Sequence, residues 1–245
     1  MLKIEDLTAA YGKKGVLFDI SLSLERGKFT AILGKNGSGK SSLLSCIGGV
    51  KTYSGKILLG GRDISEIPPR ERAKMLSYLP QHLPVTQFSV FETVAFGREP
   101  HTSFKLTDND VEIIERSIEK CGISHLKNKK LTEISGGERQ MAYLAMTLAQ
   151  DADVLLLDEP TTYMDAPNAR DFLSTLKRAQ AEGKTVAAVM HDLTQAVKYA
   201  DNIVLIDKGK VIFSGSRDEC IESGEIERVM GVEKHTLDDG TAVYI

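Results

Sequence analysis

Hydrophobic and polar positions follow three different spacings along this chain, and each spacing predicts a different kind of structure. The first part has short apolar runs punctuated by glycine, which is typical of strands. It also contains one short predicted helix, with Pro68 at its start and Met75 at its end. The predicted strands of this part are 2–11, 16–24, 28–33, 55–59 and 76–79.

The middle part, residues 88–150, has helical spacing instead. Thr107 and Asp110 form a predicted capping box, which marks the start of one helix. A long helix is predicted to follow Gly137 and to run through Ala149. The apolar face of the helix after Thr107 consists of Val111, Ile114, Ile118 and Cys121.

The last part alternates strand-like and helical segments, which predicts a parallel α/β arrangement. Lys208-Gly209-Lys210 is interpreted as a hairpin turn, and a short tail near Asp239-Gly240 is strand-like again. The predicted elements of this part are helices 168–181 and 193–200 and strands 154–157, 185–190 and 203–206.

Composition and charge narrow the class of protein without naming a function. The chain has 245 residues, of which 42% are hydrophobic and 27% charged, enough for one large domain or two small ones. Its net charge of −3 gives no support for binding nucleic acid or anionic lipid. No signal peptide and no membrane span are expected, because residues 1–6 carry charge and no apolar run approaches about 20 residues. Three widely spaced cysteines, Cys46, Cys121 and Cys220, are interpreted as reduced thiols of a cytosolic protein.

The most specific motif is Gly34-Lys35-Asn36-Gly37-Ser38-Gly39-Lys40-Ser41, which fits the phosphate-loop pattern Gly-x-x-x-x-Gly-Lys-Ser/Thr. Its glycines let the backbone turn sharply and point N–H groups inward, at a helix N-terminus whose dipole attracts anions. Lys40 is expected between the β- and γ-phosphates of ATP, and the Ser41 hydroxyl on Mg²⁺. A glycine turn with a stray lysine is the alternative. The preceding strand and the helical start at 42–47 favour the phosphate loop.

An acidic pair follows the buried strand 154–157. Asp158, at the strand end, is expected to hold Mg²⁺ through water as a partner of Ser41. Glu159 is expected to polarise the attacking water as a general base. The alternative is a solvated acidic turn, which is disfavoured because an acidic strand end is expected at this place in the chain order.

A second phosphate contact is suggested by Ile134-Ser135-Gly136-Gly137-Glu138, where a serine hydroxyl and glycine N–H groups lie at a helix N-terminus. Taken alone, this motif is better explained as an ordinary helix N-cap. Its place between the phosphate loop and the acidic strand favours the functional interpretation. With these motifs in this order, nearly the whole chain resembles the ATP-binding cassette family, whose signature motif is usually Leu-Ser-Gly-Gly-Gln.

The resemblance implies a fold and a domain organisation. We expect an α/β fold with a RecA-like P-loop NTPase core, an antiparallel β-subdomain and an inserted helical subdomain. The core and the β-subdomain would comprise about 1–85 and 147–245, and the helical subdomain about 86–146, within a single nucleotide-binding domain that spans 1–245.

The resemblance also implies roles for four further residues. Gln81 matches the Q-loop glutamine, a Mg²⁺ ligand that senses the membrane partner, and His191 matches the switch histidine, which contacts the γ-phosphate and helps to organise Glu159. Asp165 matches the aspartate that crosses to the opposite protomer, and Tyr11 the aromatic that stacks on adenine. As isolated residues, Gln81 could be a plain surface amide, His191 a hydrogen-bonded strand end and Tyr11 an ordinary strand residue.

The expected site therefore has three groups of residues for an ATP and Mg²⁺ cofactor pair. The catalytic group is Glu159, His191 and Lys40. The metal group is Ser41, Gln81 and Asp158. The nucleotide-binding group is Tyr11, Gly34, Lys35, Asn36, Gly37, Ser38, Gly39, Lys40, Ser41, Ser42, Ser135, Gly136, Gly137, Glu138 and Asp165.

Within the family, the chain looks most like the ATPase subunits of iron-siderophore, haem and cobalamin importers. The segments that carry this finer resemblance are 79–82, 94–101, 159–165 and 191–196. Four positions depart from the usual pattern: Glu138 replaces a common glutamine, Met164 replaces leucine, and Met141 and Met146 stand where relatives often have arginine. None of these departures removes a catalytic group.

The resemblance implies a mechanism in which two copies work as a pair. Ser135, Gly136 and Gly137 would complete the site of the facing copy, so that ATP joins the two chains and hydrolysis lets them open. The movement would drive permease subunits through a groove near Gln81 and residues 88–101, with an extracytoplasmic binding protein as an indirect partner. The protein would then lie at the cytoplasmic face of the membrane. The aromatic residues of this segment are Phe88, Phe91, Phe96 and Phe104, and about half of them are expected to be core residues of the helical subdomain instead.

Other functions are weighed against this one. Cassette ATPases of DNA repair carry long coiled-coil insertions, and no sustained heptads occur here. Translation-factor cassettes usually come in pairs on one chain, and this chain has one. A non-catalytic, nucleotide-gated regulatory subunit is disfavoured by the presence of both Glu159 and His191. The sequence does not name the cargo, and import rather than export rests on the resemblance alone.

Overall fold

Twelve strands are found in the computed structural model, which describes residues 1–102, 105–162, 164–236 and 242–244. In chain order they are β1 (Leu2–Tyr11), β2 (Lys14–Leu24), β3 (Phe29–Leu33), β4 (Ser54–Leu59), β5 (Arg62–Asp63), β6 (Leu76–Leu79), β7 (Val154–Asp158), β8 (Thr185–Val189), β9 (Asn202–Asp207), β10 (Lys210–Ser216), β11 (Lys234–Thr236) and β12 (Ala242–Tyr244).

The same residues form nine α-helices and three short 3₁₀ turns, the latter at Phe96–Arg98, Ser124–Leu126 and Leu131–Glu133. No helix among the described residues is long and apolar enough to cross a membrane. The helices are α1 (Lys40–Ile47), α2 (Pro69–Met75), α3 (Val90–Ala95), α4 (Asp108–Lys120), α5 (Gly136–Ala149), α6 (Ala166–Ala181), α7 (Leu193–Tyr199), α8 (Arg217–Ser223) and α9 (Glu225–Met230).

A six-stranded sheet in the order β10-β9-β3-β8-β7-β6 forms the centre of the fold. Strands β9, β3, β8, β7 and β6 are parallel, and only β10 runs antiparallel to its neighbour. Every residue of β3, β7 and β8 is buried, because both faces of the sheet are covered. The carboxyl ends of the parallel strands therefore open at one edge, where a ligand site is expected.

Alternate residues of the central strands pack into two separate cores. Ile32 points toward the antiparallel sheet β2-β1-β4-β5, with α1 packed between the two sheets. Ala31 and Leu33 point to the opposite face, where α4, α5, α6 and α7 contribute to one continuous apolar cluster. Helix α1 is thus fixed between two sheets, directly after the phosphate loop.

The helical middle part packs through α3, α4 and α5. Thr107 and Asp110 form the expected capping box at the start of α4, and Ile114, Ile118 and Cys121 are buried. Their apolar side chains join the cluster on the face of the central sheet. The limits of a separate helical subdomain, about 86–146, stay a prediction.

The expected fold class is confirmed, with differences at the edges and toward the end of the chain. Helix α6 begins at Ala166 rather than 168, because Asp165 caps it and proline is tolerated in its first turn. Strand β10 is antiparallel, because the hairpin turn at 208–210 leads straight back along β9. Helices α8 and α9 were not predicted, since each has at most seven residues. Asp239-Gly240, Phe104 and Tyr163 lie outside the described residues.

Candidate active site

The loops that follow four parallel strands meet in one cleft of about 620 Å³ at the carboxyl edge of the central sheet. The phosphate loop follows β3, Gln81 follows β6, Glu159 follows β7 and His191 follows β8. The cleft is lined by Tyr11, Val16, Asn36, Gly37, Gly39, Lys40, Ser41, Ser42, Gln81, Glu159, Thr162 and His191.

The phosphate loop is held in a shape that requires glycine. Gly34 has φ 151° and Gly39 has φ 110°, and a Cβ at Gly34 would collide with the carbonyl oxygen of Ile206. The Gly209 amide donates a hydrogen bond to the Ser38 carbonyl oxygen at 2.8 Å, so the turn between β9 and β10 holds the loop from outside. Gly39 caps α1 without a side chain, which leaves the N–H groups of the first turn free for an anion.

Lys40 is folded into its own loop. Its Nζ donates to the carbonyl oxygen of Gly34 at 2.7 Å and to that of Lys35 at 3.1 Å, and only 4% of the residue is exposed. Burial lowers the pKa of Lys40, and the carboxylates of Glu159 and Asp158 act in the opposite direction. The Lys40 ammonium is therefore held by two backbone carbonyl oxygens of the phosphate loop.

Ser41 and Asp158 bring a hydroxyl and a carboxylate together. Ser41 Oγ donates to Asp158 Oδ1 at 2.9 Å, and burial raises the pKa of Asp158. Oxygen donors of this kind suit Mg²⁺, which is usually held by one or two carboxylates together with substrate phosphates. No group of three or more His, Cys, Asp or Glu side chains with metal-binding geometry occurs in the described ranges, so a metal here would need hydroxyl, amide and phosphate ligands as well.

Three donors surround the carboxylate of Glu159. Gln81 Nε2 donates to Glu159 Oε2 at 2.5 Å and Thr162 Oγ1 to the same oxygen at 3.3 Å, while His191 Nε2 lies 2.6 Å from Glu159 Oε1. Because a carboxylate only accepts, His191 is the donor in that contact. Glu159 has φ 49°, an uncommon backbone conformation outside glycine that costs about 1–2 kcal/mol. This unfavourable backbone conformation directs the Glu159 carboxylate into the cleft.

Tyr11 lies at the end of β1 with 61% of its surface exposed. Lys51 Nζ lies 2.9 Å from the centroid of the Tyr11 ring, a cation–π contact. The Lys51 ammonium is buried and has no hydrogen-bond partner among the described residues. The side-chain interaction with Ser42, together with the positive charge of Lys51, lowers the pKa of Tyr11. One ring face is thus covered by a cation, while the side chain still borders the cleft.

The signature residues and Asp165 do not line this cleft. Ser135 and Glu138 form a capping box: the Glu138 N–H donates to Ser135 Oγ at 3.3 Å and the Ser135 N–H to Glu138 Oε2 at 2.8 Å. These bonds lower the pKa of Glu138, the backbone bond first. Asp165 accepts from the Asn168 N–H at 3.0 Å and caps α6. Within one chain, both motifs therefore act as helix caps on the surface.

Of the remaining expected residues, three lie in the phosphate loop and two at the start of α5. Gly34 and Ser38 are buried in the loop, Lys35 is exposed on its outside, and Gly136 and Gly137 form the first turn of α5. Three residues of the site were missed. Thr162 bonds Glu159, Val16 lines the cleft and Lys51 covers Tyr11. Thr162 lies in a segment singled out for its family resemblance, whereas a lone valine or lysine in a β-rich region carries no signal.

Residues 17–162 match the model of the ABC transporter family. The chain is 37% identical over 98% of its length to the ferric enterobactin transport ATP-binding protein FepC of Escherichia coli, of which it covers 91%. It is 34% identical over 94% of its length to the hemin import ATP-binding protein HmuV of Plesiomonas shigelloides, of which it covers 94%.

The fold is similar to that of a solved nucleotide-free ATP-binding cassette from an ABC transporter. The two share a TM-score of 0.83 and 25% identity over 94% of this chain and 95% of the other.

Proposed function

This chain belongs to the ABC transporter family and is an ATPase, and we propose that it powers the import of an iron-chelate or haem type substrate through a partner permease. The observation that carries the proposal is the meeting of the phosphate loop with Glu159, Gln81 and His191 in one cleft. A carboxylate held opposite a triphosphate cradle is the arrangement that phosphoryl transfer to water needs.

The substrate class is proposed from the relatives. Two of them have similar identity to this chain, yet one is named for ferric enterobactin and the other for hemin. The chain is therefore compatible with either cargo, and we place the choice of cargo in the permease and in an extracytoplasmic binding protein. The proposed substrate class also includes cobalamin.

The protein groups of the cleft each have a task when ATP is bound. The amides of the phosphate loop would hold the phosphates, and the Lys40 ammonium would move from the Gly34 and Lys35 carbonyl oxygens to the β- and γ-phosphates. Glu159 would accept a proton from the attacking water.

His191 and Gln81 hold the two carboxylate oxygens of Glu159, which fixes the direction of its lone pairs. Mg²⁺ would be held by Ser41, by Asp158 and by the Gln81 amide oxygen, since the Gln81 nitrogen faces Glu159. When bound, the metal supplies positive charge against the charge that develops on the phosphoryl oxygens.

We propose further that two copies form the complete site. Ser135 and Gly136 are exposed at the N-terminus of α5, Gly137 is buried beside them in the first turn, and none of the three lines the cleft of its own chain. Such a group suits the γ-phosphate held by a second copy. Asp165, at the exposed start of α6, would lie at the same seam.

An exposed aromatic patch marks the proposed permease contact. Phe88 and Phe96 are 46% and 49% exposed, and their rings meet edge to face with centroids 5.2 Å apart. Phe91 instead packs against the core, with Lys127 Nζ 5.1 Å from its ring centroid. An exposed aromatic pair is a feature of interaction surfaces. We therefore place the protein on the cytoplasmic face of the membrane, held there by its permease through a helical subdomain of about 86–146.

The test is co-expression of the chain with the permease encoded beside its gene. We expect the two to purify together, and we expect uptake of a radiolabelled ferric chelate or hemin that depends on ATP. Glu159→Gln should abolish uptake and turnover while the complex still forms, whereas the exposed control Glu222→Gln should leave uptake unchanged. Purification of the chain without any permease, or uptake that survives Glu159→Gln, would contradict the proposal.

A further inference from the structure

The C-terminal end of α5 is held by the segment that follows α3. Arg98 is 4% exposed, and its Nη1 donates to the carbonyl oxygen of Ala149 at 2.8 Å. Its Nε donates to Asp110 Oδ1 at 2.9 Å, which ties α5 to the start of α4. A guanidinium has donors in a rigid fork, so one buried Arg98 fixes two helices at once.

Two neighbours of Arg98 hold the same helix end. A Cβ at Gly97 would collide with the carbonyl oxygen of Met146 and lie 3.0 Å from the Gln150 nitrogen, so the 3₁₀ turn rests directly on the last turn of α5. His101 Nε2 lies 2.9 Å from the carbonyl oxygen of Gln150. We call Gly97, Arg98 and His101 the α5 clamp.

The α5 clamp contacts the C-terminal turn of α5, where the backbone carbonyl groups need hydrogen-bond donors. The last carbonyl groups of a helix have no intrahelical donors and carry the negative end of its dipole. Arg98 and His101 supply donors to two of these carbonyl groups, at Ala149 and Gln150. Both bonds involve backbone oxygens, so they fix the axis of the helix rather than a single side chain.

The opposite end of α5 carries Ser135, Gly136 and Gly137. Ser135 and Gly136 are exposed, and the nearest neighbour of a Cβ at Gly137 would be the Asn168 side chain at 3.1 Å. Helix α5 has 14 residues and is therefore about 20 Å long. A tilt of about 5° at the clamped end would move the other end by about 2 Å, and a displacement of about 1 Å can cost a reaction about 100-fold.

We propose that Arg98 is a positioning residue that aims the Ser135–Gly137 amide group at the nucleotide of the facing copy. The inference rests on the two-copy site proposed above. It also connects that site to the permease contact, because the exposed Phe96 directly precedes Gly97. Arg70 of α2 donates to the carbonyl oxygens of Pro100 and Thr102 in the same segment, which attaches that segment to α2 as well.

The experiment uses the full chain with Glu159→Gln as parent, which should form an ATP-dependent dimer. In this background we compare Arg98→Met and Arg98→Lys with Arg116→Met, an exposed arginine on α4. Two quantities are measured: dimer formation against ATP concentration by light scattering, and binding of fluorescent ADP to the monomer. ADP binding uses the phosphate loop of one chain only, so it reports on general damage to the fold.

We expect Arg98→Met to raise the ATP concentration for half-maximal dimerisation about tenfold or more while ADP affinity changes less than about twofold. Arg98→Lys should recover part of the loss, and Arg116→Met should behave as the parent. If Arg98→Met fails to fold, Gly97→Ala tests the same helix end and should give the same separation.

Dimerisation of Arg98→Met at the parent's ATP concentration would overturn the inference, as would equal losses of dimerisation and ADP binding in both Arg98→Met and Arg98→Lys. If the parent itself never dimerises, the two-copy site is wrong and the positioning role falls with it. If the parent dimerises and only this inference fails, the proposed function stands.

Discussion

Gln81 Nε2 donates a hydrogen bond to Glu159 Oε2 at 2.5 Å, across the gap between the ends of β6 and β7. The two residues are far apart in sequence and adjacent only because their strands are paired. Gln81 begins the stretch that leads to the exposed Phe88, while Glu159 faces the phosphate loop. Gln81 thus contacts the proposed catalytic carboxylate and belongs to the chain segment that leads to the proposed permease contact.

Replacing Gln81 by glutamate would put two carboxylates in contact. Like charges at this distance disfavour ionisation of one of them, which raises its pKa. We expect Gln81→Glu to lower kcat at pH 7 at least about tenfold and to move the acidic limb of the pH–rate profile toward higher pH. The control is Gln87→Glu at an exposed position. A profile that keeps its shape in Gln81→Glu would show that the bond to Glu159 has no part in turnover.

Asp158→Asn should make the nucleotide-free protein more stable and nearly inactive. Burial raises the pKa of Asp158, so the ionised carboxylate is less favourable in the folded state than in the unfolded chain, and at pH 7 it lowers the free energy of unfolding. A neutral amide removes that cost while its oxygen can still accept from Ser41. We expect the Tm without nucleotide to rise by a few degrees, and Mg²⁺-dependent ATPase activity to fall about 100-fold or more. An unchanged or lower Tm would contradict the inference that the ionised Asp158 carboxylate destabilises the folded protein.

Tyr11→Ala should weaken the binding of ATP about tenfold without changing the binding of inorganic tripolyphosphate, because stacking of a base on an aromatic ring contributes about 1–3 kcal/mol. Lys51→Met should give a smaller loss, since it removes only the cation against the Tyr11 ring. Calorimetry with both ligands separates the base from the phosphates. Equal losses for ATP and tripolyphosphate would place Tyr11 in the phosphate site instead.

Asp110 should make the folded state sensitive to acid. Hydrogen bonds from Thr107, together with Arg98, lower the pKa of this buried carboxyl from 3.8 to about 2. Its contribution to the free energy of unfolding, about 2 kcal/mol, is therefore full above pH 4 and is lost as the pH falls toward 2. Asp110→Asn should flatten the dependence of stability on pH in that window, as measured by urea unfolding. Asp108→Asn, in the same turn but exposed, should leave the dependence unchanged.

The parts of the fold that the sequence predicted are those fixed by local rules. The phosphate loop, the strand before it and the helix after it are set by glycine placement and by apolar spacing within about 20 residues. The capping box at Thr107 is equally local. Such features can be found without knowing which strands are neighbours.

The parts that were missed depend on neighbours that only the folded sheet supplies. Lys51 lies over the ring of Tyr11, which is far from it in the chain. Thr162 is the exception, because it reaches Glu159 within the local turn after β7. Arg98 lies in a stretch that resembles importer subunits, yet its partners Asp110 and Ala149 come from two other helices. The pairing of Gln81 with Glu159 likewise requires β6 beside β7.

The hydrogen bond from Gly209 to Ser38 has a consequence for the protein while it is being made. The phosphate loop leaves the ribosome before β9 and the turn that holds the loop, because both lie far C-terminal to it in the chain. A nascent chain released before Asn202 would carry the complete glycine motif and still be unable to retain a nucleotide.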